Sequence, residues 1–177
     1  MSILRQIAQL GQPVLRRVAK QVVDPLHPNV QHLIDDLLAT VAEVDGVGIA
    51  APQVFEPLSL FIVASRPNPR YPQAPEIAPF AVINPEILWR SDVTEKDWEG
   101  CLSIPGLRGL VSRQQRIGVR YLSRAGESKE DEFGSFLARI FQHEFDHLQG
   151  VVYVDRMESS LDLITEREYR RRLQHKQ

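Results

Sequence analysis

The sequence predicts an α+β fold. Short antiparallel strands pack around a central helix bearing two histidines four residues apart, and a peripheral helix lies near the C-terminus. Three observations carry this prediction. Residues 29–46 place apolar side chains at helical spacing, and residues 135–149 do so again. Between them lie several short runs of strand-forming residues separated by turn chemistry. At 177 residues the chain fits one domain, 1–177, long enough to bury a core without disulfides.

The elements follow in order. Residues 1–27 read as an irregular arm punctuated by Pro13 and Pro25. In 29–46, Val30, Leu33, Ile34, Leu37, Leu38, Val41 and Val44 form one apolar stripe, and Gly46 ends the helix. GVGIAAPQ, 46–53, leaves no room for bulky side chains, and LSLFIVA, 58–64, is a buried strand. Residues 65–79 hold five prolines and read as a loop that says nothing about activity. FAVIN, 80–84, is a short strand that Pro85 stops, and 87–100 is a further extended stretch. Residues 107–113 and 116–123 are strands, and SRAGE turns the chain into SKEDEF. Residues 161–174 read as a charged, peripheral helix.

Composition removes several classes of function. Lys plus Arg is 21 against 23 for Asp plus Glu, so no excess positive charge points to a protein that reads nucleic acid. The longest apolar run is far too short to span a bilayer. A lone cysteine, Cys101, excludes an internal disulfide and fits a reducing compartment. The basic arm lacks the serine content and small-residue cleavage site of a transit peptide, so a cytoplasmic chain is expected, with an organelle as the alternative.

RIFQHEFDHLQG, 139–150, carries the chemistry. On a helical wheel His147 falls about 40° from His143, so both imidazoles share a face and can bind one cation. Glu144 falls about 100° from His143, within the arc of Phe136, Ile140, Leu137 and Phe141. A carboxylate aimed at the interior is costly unless a cation lies nearby, and burial raises its pKa toward the range useful for proton transfer. The bland reading is a helix with satisfied core histidines. Arg139 and Asp146 lie close together on the opposite flank and are expected to pair, either behind the site or as a surface salt bridge.

Two histidines are too few for a catalytic metal, which takes three protein ligands. The HExxHxxGxxH pattern fails, because Tyr153 stands where its last histidine belongs. Glu166 or Glu168 could supply the third ligand, as could Cys101 of EGCLS, whose thiolate suits zinc or ferrous iron. Cys101 can also be read as a small buried hydrophobe.

GVGIAAPQ (46–53), EGCLS (99–103) and HEFDHLQG (143–150) together resemble the three motifs of the peptide deformylases, in order and at every fixed position. The resemblance implies that Cys101, His143 and His147 bind one divalent metal, natively Fe²⁺, with Zn²⁺, Ni²⁺ or Co²⁺ able to replace it. Glu144 would be the general base. Gln53 and the backbone N–H of Leu102 would stabilise the oxyanion, and Glu99 would stand behind the cysteine loop. Gly48 would meet the peptide backbone. Val47, Leu102, Phe136 and Ile140 are candidates for the methionine slot, and Arg139 for the substrate backbone or a carboxylate. The implied substrates are N-formyl-methionyl peptides. The basic tail YRRRLQHK, 169–176, offers a contact with the ribosome or is only a solvated helix end.

Overall fold

The structure is a computed structural model and describes residues 2–174. His175 and Lys176 of the basic tail lie outside the described residues. In chain order the elements are α1 (Pro28–Glu43), β1 (Gly48–Ala50), β2 (Leu60–Val63), β3 (Phe80–Arg90), β4 (Thr94–Cys101), β5 (Ile104–Gln114), β6 (Arg116–Leu122), β7 (Ser128–Gly134), α2 (Ser135–Leu148), β8 (Leu163–Thr165) and α3 (Glu166–Gln174). All strand pairings within the named sheets are antiparallel. One sheet has the order β1-β2-β3-β6-β7 and the other β4-β5-β8.

Alternation along β2 explains how the first sheet is covered. Leu60 and Ile62 join Ala81 and Ile83 of β3 against the stripe of α1 formed by Val30, Leu33, Ile34, Leu37 and Val41. Phe61 and Val63 point the other way, joining Val82, Ile117 and Val119 against Ala138, Ile140, Phe141 and Leu148 of α2. A strand buried on both faces carries apolar residues at successive positions, which is why LFIV reads as an unbroken run. Phe141 is fully buried and meets the Phe61 ring edge-on at 5.0 Å, so Phe141→Ala removes about 3–5 kcal/mol.

Helix α2 also lies against β5 of the second sheet, which places it between the two sheets as the sequence predicts. It ends at the turn Gln149–Gly150. Gly150 has φ 72°, and a Cβ there would sit 2.8 Å from the Arg16 carbonyl carbon, so only glycine fits. The β4–β5 hairpin turns through Leu102 and Ser103, bringing Cys101 to the end of β4 with Ile104 as its partner.

Two expectations fail. Pro85 does not stop β3. The pairing with β6 shifts register between Ile83 and Glu86, so the missing proline N–H falls at an irregularity, and Asn84 takes a positive φ of 50°. The Asn84 amide bonds both the N–H and the carbonyl of Val22, which pins the irregularity to the arm. The expected helix 161–174 begins only at Glu166, because Leu163–Thr165 pairs as β8 with Leu107–Gly109 of β5. Its Leu-Ile-Thr composition suits a strand once an open edge is available.

Candidate metal centre

The β4–β5 hairpin supplies a sulfur and α2 supplies two imidazoles. Ligand atoms of Cys101, His143 and His147 all lie within 4.8 Å of one another, and this is the only such group among the described residues. Cys101 Sγ is 3.3 Å from His147 Nε2. Cys101 and His147 are buried, and the His143 side chain is only 11% exposed. His143 Nδ1 sits 2.8 Å from Glu99 Oε2, so the imidazole donates there and turns Nε2 toward the cluster.

The electrostatics favour a cation. Burial opposes ionisation of the Cys101 thiol, yet the imidazoles of His147 and His143 hold it well below its usual value. Burial likewise disfavours a charged His143, and Cys101 and Glu99 override this and raise it well above the ordinary histidine range. A sulfur and two ring nitrogens that favour one another's charged forms at a single point suit a shared cation. One sulfur and two ring nitrogens match the donor set of a three-ligand site with an open position.

Glu144 is 4% exposed, its Oε2 has no partner, and burial pushes its carboxyl up to about 7. Its neighbour across the cleft is Gly48 of β1, where a Cβ would come 2.5 Å from Glu144 Oε1. Gln53 is buried, with Oε1 accepting from Ala50 N–H and Nε2 donating to Ser103 Oγ at 3.1 Å and Cys101 Sγ at 3.4 Å. Its amide N–H therefore points at the cluster. Val47, Gly48, Leu102, Phe136 and Ile140 line the same cleft.

Residues 4–162 match the family described as polypeptide deformylase. The chain belongs to the polypeptide deformylase family. It is similar to peptide deformylase 2 of Nostoc sp., 57% identical over 94% of this chain and 93% of that one. Peptide deformylase 2 of Shewanella oneidensis is 50% identical over 85% of this chain and 82% of its own. The Met-Ala-Ser-bound class I type b deformylase of Acinetobacter baumannii superposes with a TM-score of 0.85 at 46% identity, over 89% of this chain and all of that one.

Within this deformylase, Arg139 departs from expectation. It lines the cleft, but its guanidinium turns inward to Glu99 Oε1 and the carbonyls of Val111 and Glu95. Nor does it pair with Asp146, which bonds Arg113 and Arg156. Glu99 accepts both nitrogens of Arg113 in a bidentate pair as well as Arg139. Burial opposes its charge, yet Arg113 and His143 hold its carboxyl far below the carboxylate range. Glu166 and Glu168 are engaged elsewhere, on Arg108 and Arg171.

Sequence reasoning missed Arg113, Arg70 and Tyr71. Arg113 reads as an ordinary strand residue, and its buried position follows from the pairing of β5 with β4. Arg70 and Tyr71 come from the proline-rich segment and line the metal cleft.

Proposed function

We propose that the chain is a one-domain cytoplasmic enzyme in which Cys101, His143 and His147 hold the ion needed to remove formyl from N-formyl-methionyl peptides. The observation that carries this is the buried Glu144 carboxyl, its Oε2 without a partner, facing Gly48 in the cleft that also holds the sulfur and the His143 imidazole, with His147 behind that sulfur at 3.3 Å. When bound, the ion supplies Lewis-acid chemistry that makes water acidic enough to attack an amide near neutral pH. Glu144 takes a proton from that water and passes it to the amine nitrogen of methionine as the formyl C–N bond breaks. The Gln53 amide N–H and the Leu102 N–H donate to the formyl oxygen as it gains charge, and losing one such donor costs about 3 kcal/mol of barrier.

Gly48 offers its backbone to the peptide. Val47, Phe136 and Ile140 wall the methionine side chain, whose burial contributes about 1.5–3 kcal/mol. Arg139 serves substrate only indirectly, by holding Glu99. Ferrous iron is the resident metal in this reading, with Zn²⁺ or Ni²⁺ as functional replacements. Among the described residues, no helix is long and apolar enough to cross a membrane. The exposed arginines of α3 are offered to ribosomal RNA phosphates where new chains emerge.

Hydrolysis of formyl-Met-Ala-Ser and acetyl-Met-Ala-Ser by anaerobically purified protein tests the reading. Cleavage of the first alone is expected. Cleavage of neither, or of both at equal rates, would overturn it. Activity lost in air from iron-loaded but not nickel-loaded protein is expected if iron is the resident metal.

A further inference from the structure

Arg108 of β5 has a side chain fully out of solvent, the largest fully buried one among the described residues. Its guanidinium lies between two aromatic faces, 4.6 Å from the Tyr71 centroid and 4.4 Å from that of Tyr169. Nε and Nη2 bond the Glu166 carboxylate at 2.7 and 3.1 Å, and Nη2 also reaches the Arg70 carbonyl at 3.3 Å. Glu166 and Tyr169 belong to α3, while Arg70 and Tyr71 belong to the proline-rich segment. A single buried cation therefore joins two stretches that the sequence marks as peripheral.

One of those stretches is a wall of the metal cleft. Tyr71 lines it, its hydroxyl accepts from Gly100 N–H at 3.3 Å beside Cys101, and its ring lies 5.2 Å from Phe136. Beyond Tyr71 and Phe136 a shallow groove continues along Tyr169 and Leu173 of α3. Apart from Arg108, the segment is tied at its start, where Arg66 bonds the Ala42 carbonyl and Asp45, at its end, where Ile77 packs on the core, and at Tyr71 through Gly100. Prolines remove backbone donors between, and Asn68, which accepts from Arg70 N–H and Tyr71 N–H, fixes only local shape. A buried guanidinium is costly once a partner leaves, so the segment and α3 hold each other in place through Arg108.

We propose that Arg108 is a positioning residue that latches the proline-rich segment to α3 and so sets the Tyr71 wall against which substrate binds. The proposal rests on the deformylase reading for its substrate and on geometry for the latch. Arg108→Met keeps the volume and removes the charge, and Glu166→Gln weakens one arm of the latch with little risk to folding.

The test is steady-state hydrolysis of formyl-Met-Ala-Ser, with metal content and amide hydrogen exchange measured on the same metal-loaded samples. Arg108→Met is expected to raise KM about ten-fold, the size of one charge-assisted hydrogen bond, and Glu166→Gln less. In both, kcat stays within about two-fold, metal content is unchanged, and residues 66–77 exchange faster. A purely structural role would lower Tm and leave KM alone, and that result overturns the proposal, as does unchanged exchange in 66–77. If Arg108→Met does not fold, the same readouts on Glu166→Gln decide. A wild-type protein that cleaves no formyl peptide would sink the deformylase reading, while exchange in 66–77 would still decide whether Arg108 holds the segment.

Discussion

Gly48→Ala tests the geometry of the proposed base with the smallest possible change. The added Cβ would lie 2.5 Å from Glu144 Oε1, 2.9 Å from Cδ and 3.0 Å from Cγ. Ordinary contact begins near 3.4 Å, so the carboxylate must retreat by about 0.9 Å, and Cδ and Cγ must move with it. Glu144 is buried on α2 beside His143, which leaves it little room to turn. Displacing a catalytic group by that much costs about 100-fold in rate, and overpacking costs about 1–3 kcal/mol of stability. The three nearest contacts of the new methyl are all Glu144 atoms, so the Cys101, His143 and His147 cluster should be spared. The expected result on formyl-Met-Ala-Ser is a kcat lower by about 100-fold, full metal content and a modest drop in Tm. A kcat within about three-fold of the parent would show that Glu144 has slack here or is not the base. Loss of metal instead would mean that β1 supports the ligands themselves.

Further predictions follow from the ligands and the charges around them. Cys101→Ser should lose most bound metal on dialysis while Glu166→Ala retains it, read by elemental analysis; retention in the first would remove the thiolate from the site. Glu99→Gln should weaken metal affinity about 10–100-fold by releasing His143 Nδ1, measured by competition with a chelator. The same variant leaves Arg113 and Arg139 short of a buried carboxylate and should cost about 3–5 kcal/mol in denaturant unfolding. Burial opposes the charge of Glu166, but Arg108 lowers its carboxyl below the usual range. A lowered folded-state pKa gives stability that is present above the unfolded value and lost as pH falls through the folded one. The Tm gap between parent and Glu166→Gln should therefore be full near neutrality and shrink between about pH 5 and pH 3, and a gap independent of pH would contradict the ion pair.

The histidine half of the metal cluster was legible because its signal is local and chemically rare, whereas Cys101 as third ligand came only with the family resemblance. Two histidines one turn apart define a face by themselves, and the inward aim of Glu144 follows from the same wheel. What the wheel could not give were partners on other elements. Arg139 and Asp146 are neighbours on α2, so pairing them was reasonable, yet each finds a stronger partner from the β4–β5 hairpin. Leu163–Thr165 became a strand because an edge of β5 lay within reach, a tertiary circumstance that overrides local propensity. The proline-rich segment was legible as a loop and illegible as a cleft wall, since Tyr71 gains its place only through Phe136, Gly100 and Arg108.

Arg113 shows why the cluster forms at all. Cys101 arrives on the hairpin and the histidines on α2, so some feature must fix one element against the other to within a fraction of an ångström. Arg113 does this by gripping Glu99 of β4 with Nε and Nη2 while Nη1 reaches Asp146 of α2 at 2.6 Å. Arg139 crosses in the opposite sense, from α2 to Glu99. Three guanidiniums, those of Arg113, Arg139 and the half-exposed Arg156, thus meet the two buried carboxylates of Glu99 and Asp146. Burying so many charges yields little net stability compared with an apolar core. Its return is positional: a guanidinium held bidentately by one carboxylate and singly by another cannot shift without breaking charge-assisted bonds in a medium where water cannot replace them. Arg113→Met alone leaves Glu99 its bonds to His143 and Arg139 but takes one buried partner from Glu99 and from Asp146, so it should cost about 3–5 kcal/mol in denaturant unfolding and bind metal more weakly than the parent. Undiminished metal affinity in that variant would show that packing alone aligns hairpin and helix.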